Sequence, residues 1–297
     1  MSALDKPVSA DPVLAKRAAR IIASGWIRRS LSAGFWWVAS VAVFAALWEA
    51  AWAFGWANPM LLPPPHIFLQ DFFEQGRMFD KSTRLGDPSA GLIALAVIKT
   101  IGASTGRVLA GLVIAFVLSL AVGMAIRYSP LFGKLVLPMI NVLAPISPVA
   151  WLPVAIVVFG IGDAPAIFLV FIALFFIMTL ATLTLVDRLP QSYVHVARIM
   201  GATRLQIFVR VVLPAILPGL FLVLRLNLFA AWMVVLIAEA VGVRGGLGLV
   251  VSMARNTFDS KLAFFTMTVI GFVGFALDFA FRQIQAGVLY WVPRVKE

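Results

Sequence analysis

DRLPQSYVHVARIMGATRLQIFVRVVLPAILP, residues 187–218, interrupts an otherwise apolar chain with a polar, arginine-bearing segment. Arg188, Arg198, Arg204 and Arg210 lie in it, and after Asp187 it contains no acid. Lys- and Arg-rich connections between membrane spans stay on the cytoplasmic side, so this segment is expected to face the cytoplasm. Ala197 and Gly201 stand four residues apart, and a helix would place them on one face that is almost bare of side chain. The expectation is a docking face for a cytoplasmic partner.

The rest of the chain supports a membrane setting. Hydrophobic residues make up 62% of it and charged residues only 12%, against about a quarter charged in soluble domains. A net charge of +11 would fit nucleic acid in a soluble protein. Here the Lys and Arg residues cluster at the N-terminus and between apolar runs, where they set orientation and meet anionic lipid. No nucleic-acid partner is expected. The sequence has no cysteine, which excludes thiolate metal sites, disulfides and a Cys nucleophile. His66 and His195 are too far apart in the chain to suggest a metal site.

Outward from the central segment, the chain reads as two domains. Residues 1–34 carry six basic residues interleaved with Val13, Leu14, Ile21, Ile22, Trp26 and Ile27, the pattern of a basic amphipathic helix on the inner leaflet. Residues 35–297 form the transmembrane domain, within which residues 187–213 are the polar, arginine-bearing segment expected to face the cytoplasm. Phe35–Trp56 is long enough to cross the ~30 Å hydrocarbon core and has tryptophans near both ends. It also carries Glu49, for which an arginine on another span is the expected structural partner. Pro63, Pro64 and Pro65 force the chain to turn outside the membrane. Residues 91–126 hold a second apolar block, expected to cross from about Arg107 to Ile126, with Gly102, Gly106, Gly111 and Gly123 as packing surfaces.

A third span, about residues 135–160, is interrupted by Pro138, Pro145, Pro148 and Pro153. Broken helices are tolerated only against protein or a watery cavity, so the translocation path is expected there, at Ser147 and Trp151. Residues 164–186 and 215–243 are the fourth and fifth spans. Arg225, Asn227, Trp232 and Glu239 make the fifth unusually polar, and Arg225 and Trp232 are seven apart, close to two turns. Together they form a candidate lining for an anionic solute; a salt bridge from Arg225 to Glu49 or Asp278 is an equal alternative. GVRGGLG, residues 242–248, lacks the Lys-Ser/Thr ending of a phosphate loop and reads as an outer re-entrant turn. A sixth span lies within residues 264–291. The fold class is an all-α integral membrane protein with six transmembrane helices and both termini cytoplasmic.

At HVARIMGA (195–202) and VVLPAILP (211–218) the chain resembles the EAA loop of membrane subunits of ABC importers. The likeness extends from about Thr100 to Trp291. AWLP, FGIGD and MARNTFDSKLAFFTM further resemble the branch that imports nitrate, sulfonates, taurine and bicarbonate. His195 stands where the family has glutamate and Val196 where it has alanine, so no specific charged contact is assigned there. The resemblance implies a type I importer permease with the MetI-like fold in the plasma (inner) membrane of a bacterium. It implies that the short helix before Gly201 enters a groove of the ATP-hydrolysing subunit. On that reading His195, Ala197, Arg198, Gly201, Ala202 and Arg204 lie at the contact, and Phe208, Leu213 and Pro214 join the helix to the membrane domain.

The chain has no GxxxxGK[ST] motif, so ATP and Mg belong to partner subunits and no cofactor is expected in this one. The partners implied are two ATPases, a second permease copy and an extracytoplasmic solute-binding protein. The implied cargo is a small anion; an aromatic carboxylate or heterocyclic vitamin precursor on the same architecture is the alternative. A proton-coupled carrier is more remote, since it would need titratable groups near the midplane and internal repeats. No span pairs a nucleophile with a base.

Overall fold

The computed structural model describes residues 35–291, apart from 37, 57, 59, 85 and 87. The amphipathic helix expected over residues 1–34 and the last basic residues, Arg294 and Lys296, lie outside the described residues. The described part is built of helices and divides into two compact units that meet between residues 67 and 68.

In the first unit, helix α1 runs Val38–Ala53, preceded by helical residues at Phe35 and Trp36. It lies within the span expected over residues 35–56. Among the described residues the partner of Glu49 is not an arginine. Its carboxylate accepts the His66 backbone N–H at 3.0 Å and lies 2.9 Å from His66 Nδ1, with the His66 ring edge-on to Trp52. The partner comes from the turn after the proline run, which the chain reverses to place beside α1.

The second unit is built on long helices. After α2 (Pro65–Gln70), α3 (Phe72–Arg77) and α4 (Lys81–Arg84), α5 runs unbroken from Ala90 to Tyr128. It starts where Ser89 caps the Leu92 N–H and stops at Ser129, which Pro130 holds extended. No proline or second cap divides it, so Lys99 and Arg107 stand on the same helix as the expected crossing. Helix α6 (Pro130–Leu143), a 3-10 turn (Pro148–Trp151) and α7 (Leu152–Phe159) follow, the two arms bent by 99°. The break comes where Pro145 and Pro148 remove backbone donors, as the sequence leads one to expect.

Helix α8 (Asp163–Asp187) is the centre of the packing, with Leu169, Val170, Leu174, Met178, Thr179 and Thr182 all fully buried. Gly111 and Gly123 let α5 press against it: a Cβ on Gly111 would sit 2.6 Å from Val170, and one on Gly123 2.8 Å from Thr182. Gly102 and Gly106, expected to serve the same end, face open space instead. Gly219 admits Leu185 in the same way on the other flank of α8. Such close approach recovers dispersion energy where lipid offers no hydrophobic drive.

Helix α9 (Gln191–Ile199) then leads into α10 (Arg204–Ile207), a π turn (Phe208–Val212) and α11 (Leu213–Gly242). These last three run on as one 39-residue rod from Arg204 to Gly242. Pro214 lacks an N–H and its ring crowds the carbonyl four residues back, which the wider π turn just before it relieves. Helices α12 (Leu247–Asn256) and α13 (Ser260–Val288) complete the chain, α13 starting where Asp259 caps the Leu262 N–H at 3.0 Å. Among the described residues four helices are long and apolar enough to cross a bilayer, and the bent pair makes a fifth.

Candidate functional site

Three groups of polar residues sit at three levels of the 68–297 unit. At one end, Arg127 at the close of α5 pairs with Asp187 at the close of α8, 2.9 Å apart. Immediately beyond lies α9, none of whose residues is buried. It presents Tyr193, Val196, Ile199 and Met200 along one side, the last two 86% and 80% exposed. An apolar row on a short exposed helix, outside the long spans, is a surface built for contact.

The helix ends differently from the bare-faced helix anticipated. It stops at Ile199, so Gly201 lies past its end with φ +78°. The Gly201 N–H bonds to the Arg198 carbonyl at 2.9 Å and the Ala202 N–H to the Ala197 carbonyl at 3.0 Å. That double bond pattern with glycine in the left-handed position is the Schellman stop. Ala197 and Gly201 thus share a backbone cap rather than a helix face, and space around Gly201 is open. Three residues on, Thr203 and Gln206 cap the next helix reciprocally, so the 200–203 corner is held from both sides.

His195, Arg198 and Arg204 are exposed, and Ala202 is half-buried. Phe208, Leu213 and Pro214 are likewise only half-buried; the fully seated side chains at this joint are Ile207 and Val212. The π turn rotates the expected anchors partly outward and these two inward.

Deeper in the bundle, Arg225 of α11 donates to Asp278 of α13 at 2.9 Å, and Arg282 donates to the other carboxylate oxygen at 2.8 Å. Trp232 lies over Gly274 of the same helix, where an added Cβ would come within 3.6 Å of the indole nitrogen. Arg225 and Trp232 do share a face, but α13 covers much of it. Asn227 donates to its own helix at Val223 O. Ser147 is exposed at the proline bend, while Trp151 packs beside the Ile126, Ile140, Ile172 and Phe176 cluster. The buried indole N–H groups of Trp151 and Trp232 have no acceptor among the described residues.

At the far end Glu239 is completely buried. It accepts from Arg107 Nη1 at 2.5 Å, Ser104 Oγ at 2.9 Å and the Gly248 N–H at 3.0 Å. Arg107 also reaches Asp163 at the start of α8 and the Gly245 carbonyl, both within 2.9 Å. Gly246 adopts φ +132° and is so close to the carboxylate that a Cβ would lie 2.3 Å from Glu239 Cδ. Glu239 was expected along the solute path; it instead locks the 243–247 turn, α5, α8 and α11 together. Arg107 and Asp163 carry as much of this lock as Glu239 does, and an arginine inside an apolar run was the available signal.

Residues 115–289 match the family model described as the binding-protein-dependent transport system inner membrane component. The chain belongs to that family. This permease is 26% identical to the taurine transport system permease protein TauC of Escherichia coli (strain K12), over 87% of this chain and 90% of that protein. It is 31% identical to the nitrate import permease protein NrtB of Leptolyngbya laminosa, over 60% of this chain and 64% of that protein. A chain of the MetNI methionine ABC transporter in an inward-facing conformation superposes with a TM-score of 0.58 at 20% identity, covering 68% of the permease and 99% of that chain. That likeness shows the MetI-like fold. The permease is accordingly an inner-membrane, non-catalytic component of an ABC importer, with ATP hydrolysed by separate subunits.

Proposed function

We propose that this permease imports a small anion of the nitrate, bicarbonate, taurine or alkanesulfonate class, and that α9 is its docking element for the ATPase subunits. The observation that carries this reading is α9 itself: nine residues with none buried, an exposed apolar row, and rigid caps on the following corner. The taurine and nitrate permeases among its relatives favour the anion class. Both termini are cytoplasmic on this reading. The working unit is two permease copies, two ATPases loaded with ATP and Mg, and a solute-binding protein on the outer side. A closed two-fold arrangement suits one coupling helix per chain.

Closure of the ATPase pair moves each α9. The capped corner passes that displacement to the rod that begins at Arg204, while Arg127 and Asp187 keep α5 and α8 in step with it. Glu239 stands in the last turn of the rod, which ends at Gly242, so a tilt applied at the cytoplasmic end strains the polar lock at the outer end. Arg225 and Asp278 sit between the two, where a rearrangement that separates α11 from α13 would free a guanidinium for the anion. Solute delivery biases the change only as far as the loaded binding protein prefers one state.

The test is Ile199→Asp, which places a charge on the contact row without touching the fold's interior. Uptake driven by ATP should fall at least tenfold and the ATPase should no longer copurify, with the amount in the membrane unchanged. Normal uptake by that variant would refute the docking role.

A further inference from the structure

A cleft of about 270 Å³ opens at the end of the bundle opposite α9, between the 79–84 turn, α5 and the 244–249 segment. Its position follows from chain direction. Arg107 precedes Arg127 by 20 residues on one helix, about 30 Å, and Arg244 follows the distal end of the rod.

The cleft's walls are basic. Lys81, Arg84, Lys99 and Arg244 line it together with Arg107, against the single acid Asp80. Their availability differs. Arg107 is committed to Glu239 and Asp163. Lys99 is 3.5 Å from Asp80, whose carboxyl is held below the ordinary range by the Ser82 backbone N–H and hydroxyl and by Lys99 itself, so that pair is neutral. Among the described residues Arg84 binds only the Met78 carbonyl, at 3.0 Å, and Lys81 and Arg244 have no hydrogen-bond or ion-pair partner. Three positive charges therefore converge with no counter-charge among the described residues. The frame around them is fixed: Thr100 bonds to the Phe79 carbonyl at 3.1 Å, Thr83 to Arg77 O at 2.8 Å, and Arg107 to Gly245 O at 2.8 Å.

From these residues we infer that the cleft receives a small oxyanion, such as a sulfonate or nitrate, at the outer mouth of the permease. Lys81 and Arg244 supply the movable donors and Arg84 a fixed charge. The bare backbone at Gly245, where a side chain would meet nothing within 4 Å, leaves the anion room between them. Like charges gathered around the mouth of a cleft raise the local concentration of an anion before it enters the path. The inference rests on the small-anion reading above for its role in transport.

The test uses the full chain in nanodiscs of phosphatidylcholine without ATPase, with methanesulfonate as probe and proton saturation transfer as readout. The wild type should saturate, and the Lys81→Gln, Arg244→Gln double variant should need at least tenfold more probe. Lys134→Gln, an exposed charge elsewhere, should bind as the wild type does. Equal saturation in the double variant overturns the site. Loss of the wild-type signal when phosphatidylglycerol is added to the bilayer also overturns it, because the cleft would then hold a lipid headgroup. With no ATPase present, failure here leaves the docking role of α9 intact, and failure of the Ile199→Asp test leaves this result intact.

Discussion

Glu239 shows how much a single side chain can hold. Its carboxylate is fully buried and gathers an arginine and a hydroxyl one turn apart on α5 and a backbone N–H from the start of α12. Removing the charge leaves Arg107 buried beside only the exposed Asp163, and breaking one member of such a pair typically costs about 3–5 kcal/mol. Glu239→Gln should therefore lower the thermal stability of the detergent-solubilised permease far more than Asp163→Asn, whose carboxylate is 68% exposed. Equal and small shifts for both would show that the lock is not structural. The sequence signalled a polar fifth span but not this arrangement. Glu239 and Arg107 are separated by 132 residues, and a single sequence contains nothing that pairs them.

At the scale of elements, the hydropathy and prolines of the chain were sufficient for most of the architecture. Apolar length identified α5, α8, α11 and α13, and four prolines located the bend that α6 and α7 make. What misled was the spacing of Ala197 and Gly201. Four residues apart is a helix face only if the helix continues, and glycine is equally the residue that ends one. The caps settle the question in favour of a stop, which changes what a substitution should do. Gly201→Ala meets no neighbour, so its cost is the left-handed backbone alone, about 1 kcal/mol. The melting temperature should fall by about 2 °C, and Gly201→Asn should recover part of it. A melting temperature unchanged by alanine would mean that the corner does not need its positive φ.

At the largest scale, the layout of the 68–297 unit is a lever with separate ends. One end carries an exposed apolar helix, the other a buried acid–base lock beside a basic cleft, and a 39-residue rod connects them. The family match supplies the identity of the machine, and the exposed apolar row of α9 is the basis of the proposed contact with its ATPase. The central claim is that α9 touches the ATPase. Because the chain has no cysteine, Met200→Cys creates a single thiol at the tip of the contact row. In membranes containing the assembled importer, a short bifunctional reagent should join this thiol to the ATPase subunit, and ATP should change the yield. Labelling of Met200→Cys by an impermeant maleimide from the outer face, with no crosslink to the ATPase, would contradict the account.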